Sequence, residues 1–378
     1  MKNSKLFQRI LLVAIGVVLA ILLIGILITG NKKEKAMKVG LIITGSVDEQ
    51  GWNSAHYRGV RYACEKLGTE LLVKEHVPED SDSCAKAVHS LVKEGASMII
   101  LSSYAYPSLM RDVIQSYPDV AFYGISAEYY ADNMTSYFGR MYQARYLSGV
   151  LAGRMTQNNS IGYVAAMANS EVNRGINAFT LGVRSVNPEA QVHVIWTQAW
   201  DDCEKEEAAT ERLIEEFEVD LITYHQNQHF VAIAADKAGV YSIGYNEMEE
   251  GLSERYLTAS VWNWEELYCK IVRERLTGEA NNIKRHWFGI ETGAVGLGEY
   301  SPLVPEELRQ EIAHVKSFMA ENSVFSNVIY DNTGQLRCDN GESLSDEVLL
   351  EKMDWYVEVT GNPTDNASTS IPGQPSPS

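Results

Sequence analysis

An aromatic ring and an amide stand side by side where the first predicted helix begins. A strand is predicted at 39–44, and a helix from about 53 to 67 follows Gly51-Trp52-Asn53. The indole of Trp52 can stack on a planar base there, and the amide of Asn53 can both donate and accept hydrogen bonds. The alternative is structural, with Trp52 as a hydrophobic staple and Asn53 as a helix cap. Both residues are therefore candidates for binding a flat, polar ligand.

Two further candidates follow other predicted strands. Tyr104 comes just after the strand at 97–102 and could line the same wall as Trp52, although packing in the core or on the surface competes with that role. Glu171 lies at the start of a helix that follows the strand at 161–166. Its carboxylate could accept a hydrogen bond from an exocyclic amine or a ring N–H, and the helix N-terminus is expected to keep it ionised. The alternative is an ordinary acidic residue in a first helical turn.

The second half of the chain carries more side chains that could bind a ring. Trp200 follows the strand at 192–197 and could supply the second face of an aromatic sandwich. Hydrogen bonds to the edge of a ring could come from His225, Asn227 and Asn246, which lie at the ends of the next two strands.

Trp262 is a less specific candidate than the residues above. It stands in Val261-Trp262-Asn263-Trp264, near a predicted crossing of the chain, where structural packing competes with ligand contact. His225 and His229 stand four positions apart, which suggests a metal site. No third ligand is spaced near them, so we predict none.

The motifs of catalysis and of cofactor binding are incomplete in this sequence. Gly124-Ile125-Ser126-Ala127-Glu128 has the first glycine of a nucleophile elbow but not the last. Gly296-Leu297-Gly298 lacks the third glycine of a dinucleotide fingerprint, and the sequence contains no P-loop. We therefore predict a binding protein without a cofactor rather than an enzyme.

Alternating strands and helices must position these side chains. The apolar pattern predicts two series of four strands separated by helices, which favours parallel pairing with right-handed crossovers. A strand at 257–261 and a helix at 264–276 are predicted to return to the first lobe. Glycines are predicted to mark close helix contacts at positions 149, 153, 175 and 182. The strands of the two series are predicted at 39–44, 71–77, 97–102 and 120–125, and at 161–166, 192–197, 221–225 and 241–245.

Two α/β lobes joined by several crossings correspond to the type I periplasmic-binding-protein fold. In open sheets of this kind, ligands bind beyond the carboxyl ends of the strands, and two facing lobes can close on a small molecule by hinge motion. The predicted N-terminal lobe comprises 38–156 and about 258–290. The predicted C-terminal lobe comprises 157–257 and about 291–361.

Several separated motifs in the same order carry a family resemblance. The run from Tyr137 to Pro188 is the longest, and shorter matches are Gly51-Trp52-Asn53-Ser54-Ala55-His56, Val261-Trp262-Asn263-Trp264 and Met353-Asp354-Trp355-Tyr356-Val357. From about 37 to about 361, the chain closely resembles the basic membrane protein family of ABC-transporter substrate-binding proteins. This group includes purine-nucleoside-binding lipoproteins.

The resemblance implies a ligand and partners. Nucleoside binders of the family usually carry Phe-Asn where this chain has Trp52-Asn53, to stack and hydrogen-bond the base. The family's early Asp is absent, with Thr44 or Gly45 near its place, which favours a free base such as adenine over a nucleoside. The implied function is to capture a purine base or nucleoside and deliver it to an ABC permease and its ATPase. The alternative is a ligand sensor of the same fold that signals to a membrane partner.

Charge excludes one class of partner. The formal net charge is −18, and residues 1–38 hold seven of the 32 basic and one of the 50 acidic residues. The remainder therefore carries 25 basic against 49 acidic residues, about −24. Such a domain would repel a phosphate backbone, so we predict no nucleic-acid partner. The five cysteines are scattered and odd in number, which argues against a disulfide framework.

The two ends of the chain differ from the globular part. Residues 10–29 are apolar or small and uncharged, long enough to cross a bilayer, and no small-x-small cleavage site follows them. We predict a cytoplasmic N-terminus at 1–9, a transmembrane signal anchor at 10–30 and a tether at 31–37. The binding domain would then be extracytoplasmic and single-pass in the cell membrane, an orientation that rests on the family resemblance. Residues 362–378 are predicted to be disordered.

Overall fold

Two six-stranded sheets with helices packed on their faces form the two lobes of the protein. The structure, a computed structural model, describes residues 36–49, 51–127, 129–279, 284–357 and 359–361. The strands are β1 (Lys38–Ile42), β2 (Glu70–Lys74), β3 (Met98–Leu101), β4 (Ala121–Ile125), β5 (Met134–Gly139), β6 (Ser160–Ala165), β7 (Gln191–Trp196), β8 (Leu221–His225), β9 (Tyr241–Asn246), β10 (Tyr256–Trp262), β11 (Arg285–Phe288), β12 (Val295–Leu297), β13 (Ile329–Tyr330) and β14 (Leu336–Cys338).

The helices alternate with the strands through most of the chain. A single 3-10 turn, Ile290–Thr292, lies between β11 and β12. The α-helices are α1 (Trp52–Leu67), α2 (Ser81–Glu94), α3 (Tyr106–Leu109), α4 (Arg111–Gln115), α5 (Met141–Met155), α6 (Ser170–Val186), α7 (Cys203–Phe217), α8 (Phe230–Ala238), α9 (Trp264–Thr277), α10 (Glu306–Met319) and α11 (Asp346–Glu351).

The two sheets share one strand order. The first runs β11-β5-β4-β3-β1-β2 and is parallel throughout. The second runs β12-β10-β9-β8-β6-β7 and is parallel except for β12, which is antiparallel to β10. Strands buried on both faces read as continuous apolar runs, which is why β3 and β8 were recognisable in the sequence. The chain passes between the sheets after β5, between β10 and β11, and between β11 and β12.

The strand at 257–261 does not return to the first lobe, contrary to the sequence prediction. It is part of β10, which pairs with β9 in the second sheet. The helix that follows, α9, does pack on α1 of the first lobe, where Gly59 allows the close approach of Trp264 and Tyr268. The crossing therefore lies at Asn263. A strand and the helix after it were assigned together because sequence pattern does not reveal which sheet a strand joins.

Helices α5 and α6 meet through their backbones. A Cβ atom added at Gly149 would overlap the carbonyl oxygen of Phe179, and one added at Gly182 would overlap that of Tyr146. At Gly153 the added atom would lie 2.8 Å from the oxygen of Val183. The predicted close contacts at 149, 153 and 182 are confirmed. At Gly175 the nearest atoms lie 3.4 Å away, an ordinary contact distance.

The C-terminal segment is bound along α6. The side-chain amide of Asn177 donates to the oxygen of Trp355 and accepts from the nitrogen of Val357, at 2.9 Å each. Further on, Thr360 pairs with the outer edge of β7, accepting from Val194 and donating to the oxygen of Val192. The described part of this segment, which reaches residue 361, thus forms part of the second lobe.

The predicted single-pass membrane location has to be corrected. In the part of the chain that the structure describes, none of the helices has both the length and the apolar character needed to cross a bilayer. The predicted segments 1–9 and 10–30, most of the tether and the tail at 362–378 lie outside the described residues.

The backbone contact between α5 and α6 can be tested with one methyl group. We expect Gly182→Ala to lower the free energy of unfolding by about 1–3 kcal/mol, because the helices must separate to admit the Cβ. The measurement is the midpoint of chemical denaturation. Gly296→Ala is the matched control, because a Cβ there meets no atom within 4 Å, and its midpoint should be unchanged or slightly raised. Equal midpoints for the two variants would contradict the contact.

Candidate functional site

Trp52 begins α1 at the carboxyl end of β1, with one edge of its indole fixed. The Nε1 atom donates to the oxygen of Ser102, at 2.8 Å, which ties the ring to the loop after β3. The preceding Gly51 has φ 102° and ψ −137°, a conformation open to glycine. The side chain is nevertheless 37% exposed. A held but accessible ring of this kind is suited to stacking on a ligand.

The amide of Asn53 is already used within the protein. Its Oδ1 atom accepts from the nitrogen and the hydroxyl of Thr44, at 3.2 and 3.1 Å, and its Nδ2 atom donates to Glu49. These bonds tie α1 to the end of β1, and the side chain is buried. In this structure Asn53 holds the β1–α1 loop that presents Trp52, and its predicted role as a ligand contact stays a prediction.

A column of aromatic rings runs from Trp52 to Trp262 at the end of β10 in the second sheet and back to Phe138 of β5 in the first. The Trp52 ring meets Trp264 edge to face, with centroids 5.5 Å apart. Trp264 stacks on Trp262 at 4.7 Å and 12°, and Trp262 lies 4.9 Å from Phe138. Trp262 is buried in this column, so the structure gives it a packing role. We call these four residues the aromatic column.

His56 lies beneath Trp52, one turn along α1. Its ring centroid is 4.3 Å from that of Trp52, and its Nδ1 atom is 2.5 Å from the hydroxyl of Tyr268. The side chain is fully buried, and burial lowers the pKa of His56 to about 3. The imidazole is therefore neutral over the physiological range.

Tyr104 lies in the loop after β3, two residues beyond Ser102, whose carbonyl oxygen binds the Trp52 indole. It is among the most exposed aromatic residues of the described chain. Its place on the same wall as Trp52 stays a prediction.

Glu171 lies in the first turn of α6, in the second lobe. Asn169 caps this helix by accepting from the nitrogens of Glu171 and Val172, at 2.9 and 3.0 Å. Burial of the carboxyl group raises the pKa of Glu171, although Arg174 and Arg145 oppose the shift. The expected stabilisation of the ionised form by the helix N-terminus is thus opposed by desolvation, which is the largest cause of the pKa shift.

His225 ends β8 and is packed among rings. Its centroid lies 4.1 Å from that of Tyr245 and 6.0 Å from that of Trp200. The Nδ1 atom has no hydrogen-bond partner among the described residues. Burial first, and then the charges of Arg145 and Arg174, hold the pKa of His225 well below its usual range. The imidazole is neutral and has a polar atom unmatched within the protein.

Arg145 is the residue behind this wall that sequence reasoning missed. It is fully buried on α5, and its guanidinium donates to the oxygen of Tyr224 at 2.6 Å and to the hydroxyl of Thr223 at 3.2 Å. Its guanidinium carbon lies 4.3 Å from the ring centroid of Tyr245. No carboxylate of the described residues lies within 4.0 Å of it. The available signal was a charge placed among small and apolar residues in the interior of a helix, unlike Arg154 in its last turn.

The remaining candidates lie on the loops of the second lobe. The loops after β7 and β8 meet where the nitrogen of Asn227 donates to the oxygen of Trp200, at 2.8 Å. Asn246 ends β9 in a left-handed conformation, with φ 76°. The next residue, Glu247, lies 3.3 Å from Arg58 on α1 of the first lobe. This ion pair was not predicted and places the loop after β9 against the first lobe.

Of the two histidines that stand four positions apart, His229 has partners within the protein. His229 lies 2.7 Å from the hydroxyl of Tyr224 and 3.3 Å from the carboxylate of Glu249. Across the described ranges, no three His, Cys, Asp or Glu side chains are grouped so that they could hold a metal ion.

Apart from Trp262, which is buried in the aromatic column, the predicted residues fall into two groups. The first lobe holds Trp52 and Tyr104 around the ends of β1 and β3, with Asn53 behind them. The second lobe holds Glu171, Trp200, His225, Asn227 and Asn246 at the ends of β6, β7, β8 and β9. Each group lies at the carboxyl edge of its sheet, where ligands of open α/β sheets bind.

The chain is similar in sequence to a family of known proteins. A family model described as Bmp, ABC transporter substrate-binding protein PnrA-like, matches residues 36–326. A putative ABC transporter glucose-binding protein of Haloferax volcanii is 31% identical over 87% of this chain and 81% of its own length. A purine-binding protein of Brucella abortus is 31% identical over 86% of this chain and 93% of its own. The family resemblance found in the sequence is confirmed.

A solved structure bears on the fold alone. An ABC transporter solute-binding protein from Conexibacter woesei has a TM-score of 0.62 and 17% identity, and the match covers 75% of this chain and 96% of that one. The predicted α/β fold of two lobes, similar to periplasmic binding proteins, is confirmed.

The buried neutral state of His56 gives stability a pH dependence. The unfolded chain binds a proton at this residue below about pH 6.5, whereas the folded protein does not until about pH 3. The unfolded state therefore gains protons as the pH falls, and His56 should remove about 1.4 kcal/mol of stability per pH unit below 6.5. The measurement is the free energy of unfolding of the parent and of His56→Phe between pH 7 and 4.5.

The difference in the free energy of unfolding between the parent and His56→Phe is needed because other groups change the stability with pH in the opposite sense. Burial raises the pKa of Glu206 to about 7, so its contribution is present at low pH and is lost as the pH rises through 7. Subtracting the two curves removes this effect. A difference that does not vary with pH would show that His56 is not held neutral.

Proposed function

Because this chain belongs to the Bmp family of PnrA-like ABC transporter substrate-binding proteins, we propose that it binds a purine base or nucleoside between its lobes and delivers it to an ABC permease and its ATPase. An adenine-like base is favoured. The observation that carries the proposal is the placement of Trp52, a ring held by Ser102 and by His56 yet accessible at the carboxyl edge of the first sheet. No catalytic role is part of the proposal.

The proposed contacts to the two faces of the base come from both lobes, and the proposed hydrogen bonds to its edge come from the second lobe. Trp52, with Tyr104 beside it, would cover one face of the base, and Trp200 of the second lobe would approach the other. Base–aromatic stacking contributes about 1–3 kcal/mol per base and tolerates any planar ring. Selection among bases must therefore come from hydrogen bonds to the ring edge.

Two groups of the second lobe support edge recognition. The carboxyl group of Glu171 can accept from the exocyclic amine of adenine, and the neutral imidazole of His225 can donate from one nitrogen and accept at the other. The Nδ1 atom of His225 has no protein partner among the described residues. Asn227 and Asn246, on neighbouring loops, are further proposed contacts. Buried polar groups that have no partner in the ligand-free protein favour a ligand that forms hydrogen bonds with them.

The surroundings of Thr44 favour a free base over a nucleoside. This residue stands near the position where the family's early Asp is expected, but its nitrogen and its hydroxyl both bond to Asn53. Neither group is directed to a ribose. A sugar remains the competing ligand class, because the glucose-binding and the purine-binding relatives are equally identical to this chain.

Calorimetric titration of the full-length protein tests the proposal. Carried-over ligand is first removed by unfolding, dialysis and refolding, and the ligands are adenine, hypoxanthine, guanine, adenosine, guanosine and glucose. We expect a purine to bind most tightly and Trp52→Ala to weaken it by about 1–3 kcal/mol, about 5- to 150-fold in Kd.

The matched control is Tyr330→Ala, which removes an exposed ring from the C-terminal hairpin of β13 and β14. Its Kd should equal that of the parent. Equal purine affinity for Trp52→Ala would contradict the site. Binding of glucose alone by the refolded parent would contradict the ligand class.

A further inference from the structure

Three buried polar groups form a hydrogen-bonded chain beneath the indole of Trp52. The Nδ1 atom of His56 lies 2.5 Å from the hydroxyl of Tyr268, which lies 2.7 Å from the hydroxyl of Tyr137. All three side chains are fully buried, on α1, α9 and β5 respectively. We call this the relay. It joins three elements of the first lobe out of contact with solvent.

The hydrogen atoms of the relay can be assigned by counting acceptors. If Tyr137 donates to Tyr268 and Tyr268 donates to Nδ1 of His56, both hydroxyl hydrogens are used. The reverse direction leaves the Tyr137 hydrogen without an acceptor among the described residues. The reverse direction also leaves Nε2 of His56 as an acceptor without a donor, whereas the first direction leaves only the Nε2 hydrogen without a polar partner among the described residues. Each unmatched buried polar group is costly, so the first direction is favoured. The imidazole hydrogen then sits on Nε2.

The imidazole of His56 packs against two indole rings. Nε2 has no hydrogen-bond partner among the described residues. The imidazole centroid lies 4.3 Å from that of Trp52 at an interplanar angle of 70°, and 4.2 Å from that of Trp264 at 47°. Near-perpendicular rings attract because the positive edge of one faces the negative face of the other, and an N–H group at that edge adds to the attraction. The relay therefore acts on the tilt of the Trp52 indole.

We propose that His56 is a positioning residue, which the relay holds so that it sets the tilt of Trp52 before a ligand arrives. The inference rests on the proposed ligand contact of Trp52. The indole is also held by its bond to Ser102, so it is fixed on two sides while one part stays exposed. A ring that is already ordered loses little freedom on binding, which removes a cost that a freely rotating side chain would add.

The position of the relay gives it a second property. Tyr137 precedes by two residues the end of β5, where the chain leaves the first lobe, and Tyr268 follows by five residues the crossing at Asn263. The relay thus connects the residue that orients the binding ring to two of the three segments in which the chain passes between the lobes. The Trp52 ring is therefore linked to those two crossings as well as to the loop after β3.

Removing one hydroxyl tests the inference. Tyr268→Phe keeps the ring but takes the donor from Nδ1, and His56→Phe removes both imidazole nitrogens. In each variant we expect the Kd of the most tightly bound ligand to rise about 2- to 10-fold. In ligand-free protein, the near-ultraviolet circular dichroism of Trp52 should shrink. The contribution of Trp52 is obtained by recording each protein with and without the additional substitution Trp52→Phe and subtracting the second spectrum from the first.

Tyr106→Phe is the matched control. Tyr106 is also fully buried in the first lobe, and its hydroxyl donates to the oxygen of Val77 at 2.6 Å, outside the relay. This variant should lose stability like any protein deprived of a buried hydrogen bond, while the Kd and the Trp52 signal stay at parent values. A general loosening of the lobe would change all three variants alike and would overturn the inference.

The ligand-free readouts separate this inference from the proposed function. An unchanged Trp52 signal in both Tyr268→Phe and His56→Phe overturns the positioning role, whatever the ligand is. A reduced signal in a protein that binds no purine supports the positioning role and removes the proposed ligand. Nitrogen-15 correlation spectra of the parent add a direct test. They should show His56 protonated at Nε2, and protonation at Nδ1 would contradict the assigned relay.

Discussion

The contact between Trp262 and Gly139 determines how the two lobes meet. Gly139 ends β5 and Trp262 ends β10, so each lies where the chain is about to pass to the other lobe. A Cβ at Gly139 would overlap the Trp262 ring, and Val295 of β12 packs on the same glycine. The absence of a side chain there lets two crossings share one point. Stacking of Trp264 on Trp262 then directs α9 back to α1 and carries the same contact to Trp52.

In the second lobe, the group packed beneath the candidate site is a buried charge rather than an aromatic ring. Arg145 lies beneath the carboxyl ends of the central strands, bonded to neutral oxygens and covered by Tyr245. Desolvating a cation is costly, and attraction to ring faces and carbonyl oxygens offsets part of that cost. The positive charge disfavours a second one at His225 and opposes protonation of Glu171. Burial is the larger cause at both residues, and Arg145, which no ligand need touch, adds to it at His225 and opposes it at Glu171.

Local sequence pattern was sufficient to predict the helices and strands that alternate along the chain. It was insufficient to predict contacts between residues that are distant in sequence. The strand and helix series and the place of Trp52 at a strand end follow from periodicity, because each depends on neighbours in sequence. The sheet that β10 joins, the bonds of Asn53 to Thr44 and the burial of Glu171 depend on partners that are distant in sequence or on the packed environment. Arg145 was missed for the same reason, since a charge on a helix is ordinarily solvated.

The pairing of Thr360 with β7 bears on how the protein avoids association through its strands. An unpaired outer strand can template pairing with another chain, and natural proteins cover such edges or place charges on them. The second sheet ends on one side in the short antiparallel strand β12, and its other outer strand, β7, is covered by the returning C-terminal segment. At the outer strand of the first sheet, Glu70 and Lys74 pair with Lys38 and Glu94. The lobes therefore resist edge-to-edge aggregation by different means, one by added backbone and one by charge.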